Sequence, residues 1–253
     1  MLSGEQYDKN INDILEYLNK YFREPEFEIK SGSNKIKYYT TKFFISLPKD
    51  VNDKLDEILW HEIQKYPIFD VEQIGDEQIY VHLGDITQIK ADVIVNAANE
   101  DGLGCFTYDH KCVDNIIHNK AGPNLRAECN IILSGSKIKT SDAIITRGYN
   151  LPAKYVLHTV GPVYNKKIHD KSCLELSSCY SNCLGIADKY GFKSIVFCCI
   201  STGLYGFPQE EAAKIAIHST KNYLRINGSK IKVIFCTFRD SDYELYTNLV
   251  HLL

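Results

Sequence analysis

From residue 78 onward, short apolar runs recur along the chain: IYVHL, DVIVN, AIITR, YVLHTV, SIVFCCI and KVIFCTF. Between them lie longer stretches whose apolar residues return every third or fourth position, clearest in PNLRAECNIIL, CLELSSCYSNCLGIADKY, PQEEAAKIAIHSTKNYL and DYELYTNLVHLL. Strands alternating with helices of that length predict a layered α/β domain with a largely parallel sheet. SIVFCCI is apolar without alternation, as expected of a central strand covered on both faces.

Residues 1–75 read differently. INDILEYLNKYF has helical spacing, KSGSNK is a polar break, and KYYTTKFFISLP is a strand-like or irregular run. Val51, Leu55, Ile58, Leu59 and Ile63 then mark a second helix, which Asp50 can cap and which stops before Pro67. The chain therefore divides into an α-rich N-terminal extension, 1–75, and a main domain, 76–253. The extension's apolar stripes must be buried somewhere, and an otherwise open face of the sheet is the expected place.

Charge narrows the possible ligands. With 29 Lys and Arg against 32 Asp and Glu the net charge is −3, so no basic field exists for nucleic acid. A nucleotide-like ligand would have to be held by local dipoles in a shaped pocket. No apolar run approaches membrane-spanning length, and MLSGEQYDKN has neither a basic start nor a hydrophobic core. The expectation is a cytoplasmic protein with no membrane partner. Nine cysteines, an odd number, several inside apolar patterns, suggest reduced core thiols plus a metal site rather than disulfides.

In such folds ligands sit beyond the carboxyl ends of the strands. After SIVFCCI comes STGLYGFP, in which Gly203 and Gly206 allow close backbone approach and Pro208 suits the start of a helix. Such a strand–loop–helix can cradle a pyrophosphate or be only a tight connection, and it matches no Walker or dinucleotide fingerprint. After YVHL, Asp85 can cap a turn or accept from a base amino group. After DVIV, Asn96 and Asn99 can satisfy strand-end backbone or bind ribose hydroxyls. Next comes GLGCFTYDHKCVDNIIH, where Cys105, His110 and Cys112 place one imidazole and two thiols within eight positions. Sulfur plus imidazole suits Zn²⁺, and three protein ligands leave a fourth position open, although two free thiols beside an exposed histidine fit the spacing too. His118 reads as a buried helix histidine. Cys129, Cys173, Cys179, Cys183, Cys198, Cys199 and Cys236 read as core, and His158 receives no role.

Taken in order, GDIT, DVIVNAAN, CVDNIIH, GYNLPAKYVLHTVGP and ISTGLYGFP resemble the macrodomain family, which binds ADP-ribose, over roughly residues 78–253. GYNLPAKYVLHTVGP and VDNIIH are most similar to its hydrolytic MacroD-type branch. Where that branch carries a run of glycines, this chain has GCFTYDHKC, which together with the helical extension resembles the zinc-containing macrodomains.

The resemblance implies a three-layer α/β/α fold around a mixed, largely parallel sheet and one Zn²⁺ per chain. Asp85 and the Ile86 backbone would hold the adenine, with Phe238 stacked on it or else buried in the core. Gly102, Leu103, Gly104, Ser201, Thr202, Gly203, Leu204, Tyr205 and Gly206 would wrap the diphosphate, Asn99 would hydrogen-bond the distal ribose, on which Tyr205 packs, and Asn96 would count among the ligand-binding residues. Asp114, which would orient or deprotonate a water, and Asn99 would be the catalytic side chains, and with the metal trio Cys105, His110 and Cys112 they would lie around the distal C1″ carbon. The implied activity is removal of mono-ADP-ribose from Asp or Glu side chains of a modified protein. The rivals are a non-catalytic ADP-ribose reader, an O-acetyl-ADP-ribose deacetylase, and a zinc hydrolase unrelated to ADP-ribose.

Overall fold

In the computed structural model, which describes residues 1–252, all six apolar runs are strands of one sheet. They are β2 (Ile79–Leu83), β4 (Val93–Ala97), β5 (Ala143–Arg147), β6 (Tyr155–Thr159), β7 (Ser194–Phe197) and β8 (Lys232–Thr237). Their order is β2-β8-β7-β4-β6-β5, parallel throughout except for β5, which pairs antiparallel with β6. The sheet is thus mixed and largely parallel. Two residues each of β1 (Phe69–Asp70) and β3 (Ile89–Lys90) form a small second sheet.

Helices cover both faces. α6 (His169–Lys189), α7 (Gln209–Asn227) and α8 (Asp240–Leu252) form one layer, in which Tyr180 meets Phe197 and Phe235, and Phe235 meets Tyr246. α4 (Val113–Ala121) and α5 (Pro123–Leu133) form the other. β4, β7 and β8 bury Val93, Ile94, Val95, Ile195, Val196, Phe197, Val233 and Ile234 completely, as their unbroken apolar sequence requires. All nine cysteines are free thiols, and Cys129, Cys179, Cys183, Cys198 and Cys236 lie in the core. Among the described residues, no helix is long and apolar enough to cross a membrane.

The extension departs from its sequence reading in three ways. KYYTTK is not strand-like but the body of a helix: α2 (Gly32–Lys42) is capped by the Ser31 hydroxyl and buries Ile36 and Tyr39, three residues apart on one face. Asp50 is no cap either, because α3 (Lys49–Gln64) already begins behind Pro48 and leaves Asp50 within its first turn. Nor does the block cover the sheet. With α1 (Gly4–Tyr21) it builds a core of its own from Ile11, Ile14, Leu18, Ile36, Tyr39, Ile45, Val51, Leu55 and Ile58. It docks through α2 and α3 onto α4. Ile63, Val71 and Ile74 already belong to the main core, so by packing the α/β domain takes in the chain from the end of α3 onward.

Candidate active site

Because β2, β8, β7 and β4 are parallel neighbours, their carboxyl ends open on one edge of the sheet. Asp85 lies just beyond β2 and caps a short 3₁₀ turn, its Oδ1 accepting from the Thr87 N–H at 2.8 Å and the Thr87 hydroxyl at 2.7 Å. That leaves Oδ2 for a second donor. Ile86 behind it is buried. Phe238, one residue past β8, is 80% exposed, which rules out its core reading and leaves a free aromatic face at the rim.

Beyond β7, residues 199–207 fold into a loop braced by its own backbone: Phe207 N–H donates to Ser201 O and Gly206 N–H to Gly203 O. Ser201 takes a left-handed φ of +65°. Pro208 stands immediately before α7 rather than inside its first turn. Tyr205 is half-buried and shares a small apolar cluster of Leu133, Ile138 and Val160 with Leu103, so the two glycine loops meet there.

Asn99 shapes the first of these loops. Its Oδ1 accepts from the Gly102 N–H at 3.1 Å and its Nδ2 donates to Gly104 O at 3.3 Å. Gly104 has φ +79°, and a Cβ there would meet the His118 ring at 2.7 Å, so the loop lies flat on that imidazole. His118 is buried, as read from the sequence, and burial holds it well below the usual imidazole range. Its Nε2 stands 3.6 Å from Asp114 Oδ1, beyond hydrogen-bond reach, and a neutral ring makes no ion pair.

Cys105, His110 and Cys112 converge as the spacing suggested. Their ligating atoms lie within 4.8 Å of one another, with Cys105 Sγ 3.3 Å from His110 Nδ1. Tetrahedral zinc, with Zn–S of about 2.3 Å and Zn–N of about 2.0 Å, separates sulfur from nitrogen by roughly 3.5 Å, so the donor set fits this ion in type and in spacing. Cys112 is also the N-cap of α4, its Sγ accepting from the Asn115 N–H at 3.4 Å. Burial pushes that thiol up to about 11, against the pull of the Asn115 N–H. Asn115 further donates from Nδ2 to Thr107 O at 3.0 Å and Cys105 O at 3.4 Å, which ties the loop to the helix.

Asp114 sits in the first turn of α4, only 5% exposed. Burial raises its pKa to about 6, while Asn96, Arg126 and His110 pull it down. Asn96 is fully buried, which corrects its placing at the ribose: it lies behind Asp114 rather than in the cleft. Its Nδ2 donates to Asp114 Oδ1 at 2.7 Å and to His158 Nδ1 at 3.1 Å. Since Nδ1 must accept, the neutral His158 carries its proton on Nε2 and donates it to the Thr146 hydroxyl at 2.9 Å. Burial lowers His158 to about 3, in keeping with that neutral form.

Sequence reasoning gave no role to His158, Thr146, Asn115 or Arg126. Arg126 had one visible signal, its place beside the buried stripe of Leu125, Cys129 and Leu133. His118, Cys129 and His158 also cluster, but both His158 nitrogens are committed to hydrogen bonds with Asn96 and Thr146. Cys173 stands apart from the buried thiols Cys179 and Cys183. It lies 3.6 Å from His169 Nε2, which pairs with Glu211 at 3.1 Å.

Residues 95–216 match the Macro domain family. The chain is 47% identical over 180 residues to a protein-ADP-ribose hydrolase of Staphylococcus aureus (strain MSSA476), covering 70% of this chain and 68% of that protein. A Treponema medium protein-ADP-ribose hydrolase is 44% identical over 178 residues, with the same coverage. Among solved structures, the Trypanosoma brucei macrodomain in complex with ADP-ribose superposes with a TM-score of 0.66 at 30% identity, covering 88% of this chain and 97% of that one.

Proposed function

Since this chain belongs to the macrodomain family, we propose that it removes mono-ADP-ribose from Asp or Glu side chains of a modified protein, with a zinc ion held by Cys105, His110 and Cys112. The chain is a hydrolase, the class of relatives 44–47% identical to it. The observation that carries the finer reading is the meeting of two groups at one helix start: the metal-type trio ends on Cys112, and the buried Asp114 lies two residues on.

In this reading Oδ2 of Asp85 accepts from the adenine amino group and Phe238 lies on its ring. Backbone N–H groups of the Gly102–Gly104 and Ser201–Gly206 loops surround the diphosphate. Tyr205 packs on the distal ribose, and Asn99 keeps an N–H for a ribose hydroxyl while bracing its loop. Asp114, held from behind by Asn96, orients a water toward the anomeric carbon and accepts its proton. The water oxygen joins C1″, the bond to the carboxylate oxygen breaks, and free ADP-ribose and the regenerated carboxylate leave. Zinc, when bound, supplies polarisation of oxygen ligands and a lowered pKa for a bound water.

The test uses a protein mono-ADP-ribosylated on Asp or Glu, with O-acetyl-ADP-ribose in parallel, before and after chelation. Release of ADP-ribose from the modified protein, lost on chelation, is expected. ADP-ribose binding without turnover would make the chain a reader. Turnover that survives complete zinc removal and Cys105→Ala would remove the metal from the reading.

A further inference from the structure

We propose that the N-terminal helical block is part of the active site, acting through Arg126 as a positioning residue for the loop that carries Leu103, Gly104 and Cys105. The Arg126 side chain is only 5% exposed. Its Nε–H donates to Leu103 O at 2.7 Å, and its Nη1 donates to Thr40 O at 3.0 Å, Thr41 O at 3.3 Å and Phe43 O at 3.1 Å. Thr40 and Thr41 close the last turn of α2, where carbonyls lack intrahelical partners and the helix end is negative. One guanidinium therefore caps a helix of the block and grips the active-site loop, while Phe106 of that loop covers its face at 4.2 Å.

Two further routes join the same parts. The Thr41 hydroxyl donates to Asn119 Oδ1 at 2.7 Å, Asn119 Nδ2 donates to Asn115 O at 2.8 Å, and Asn115 holds Thr107 O and Cys105 O. Tyr38 and Phe27 pack their rings on Tyr108 at 5.4 and 5.9 Å. The block thus has its own core. While Asn52 and Asp56 of α3 bond Asn124 and Asn150 elsewhere on the α/β domain, the contacts from α2 and Phe27 converge on this loop. Lysine cannot replace Arg126, because a single ammonium cannot reach Leu103 O together with the Thr40, Thr41 and Phe43 carbonyls.

The inference rests on the ADP-ribose reading for its effect on binding, but the loop claim can be measured without it. In the full chain, amide hydrogen exchange of residues 103–112 is followed in Arg126→Met and Arg126→Lys, with binding of free ADP-ribose by calorimetry. Loop exchange about tenfold faster or more, with β7 and β8 keeping their protection, is expected in both variants, alongside ADP-ribose affinity reduced about tenfold. A folded Arg126→Met with parental loop exchange and parental affinity would overturn the inference and leave the hydrolase reading untouched. A parent that does not bind ADP-ribose would sink the hydrolase reading, while the exchange rates would still decide the loop claim. If Arg126→Met does not fold, Thr41→Val decides: exchange at Cys105–Thr107 should rise severalfold, and unchanged exchange there overturns the proposal.

Discussion

Asn96 donates to Asp114 Oδ1 across 2.7 Å inside the fold, and this bond fixes the buried carboxylate from behind. The other hydrogen of the same amide goes to His158, so the amide cannot turn over without presenting its oxygen to a carboxylate. Asn96→Ala leaves both partners buried without a donor. It should cost about 1–3 kcal/mol of stability in urea unfolding and lower turnover of a modified protein by about tenfold or more. Affinity for free ADP-ribose should stay within about threefold, because Asn96 does not line the cleft. An equal loss of binding and turnover would show that Asn96 supports the whole cleft rather than Asp114.

The metal trio makes a separate prediction. Elemental analysis of the full chain should find about one zinc, as three converging soft ligands imply. Cys105→Ser and Cys112→Ser should both lose it. Cys112→Ser still offers an oxygen to the Asn115 N–H, so it keeps the helix cap while weakening the metal. Chelation should lower the melting temperature of the parent but not of either variant. Equal zinc content in parent and Cys105→Ser would remove that thiol from the ligand set.

Strands were legible where the hydrophobic effect decides: SIVFCCI, apolar without alternation, reads as a central strand, and β7 lies inside the sheet. KYYTTK misled because aromatic and β-branched residues favour strands, whereas the Ser31 cap and the inward faces of Ile36 and Tyr39 make it a helix in context. The metal trio lies within eight positions of chain, so spacing exposed it. Arg126 answers carbonyls 83 to 86 residues away, and no local pattern carries that information. His158 alternates along β6 between two plausible faces, and only the fold shows that Asn96 and Thr146 wait on one of them.

Gly104 and Gly135 separate two costs of substitution. Both have positive φ, +79° and +82°, but a Cβ at Gly104 meets the His118 ring at 2.7 Å while one at Gly135 meets nothing. Gly135→Ala should cost about 1 kcal/mol for the left-handed backbone alone. Gly104→Ala should cost about 1–3 kcal/mol more, and it should weaken ADP-ribose binding because the loop must lift. Adding His118→Ala should recover part of that binding. Equal costs for the two glycine variants would mean that the imidazole yields freely.

Asp92, which precedes β4, gives stability a defined pH dependence. Its Oδ1 accepts from Lys154 Nζ at 2.7 Å and its Oδ2 from the Lys193 N–H at 2.7 Å. Burial pushes this carboxyl up, but the hydrogen bonds from Lys154 and from the Lys193 and Ser194 backbone outweigh it and hold the group below the usual carboxylate range. A folded pKa below the unfolded one contributes stability that is complete above the unfolded value, about 4, and is lost as pH falls through the folded value. Lys154 is largely exposed, so its share is screened, and the contribution at neutral pH should be about 1 kcal/mol. Asp92→Asn should therefore be less stable than the parent at pH 7, and the gap should close as pH is lowered through the acid range below about 4. Urea unfolding of both proteins at several pH values measures this gap, and a gap that does not change with pH would show that the lost interaction is geometric rather than ionic.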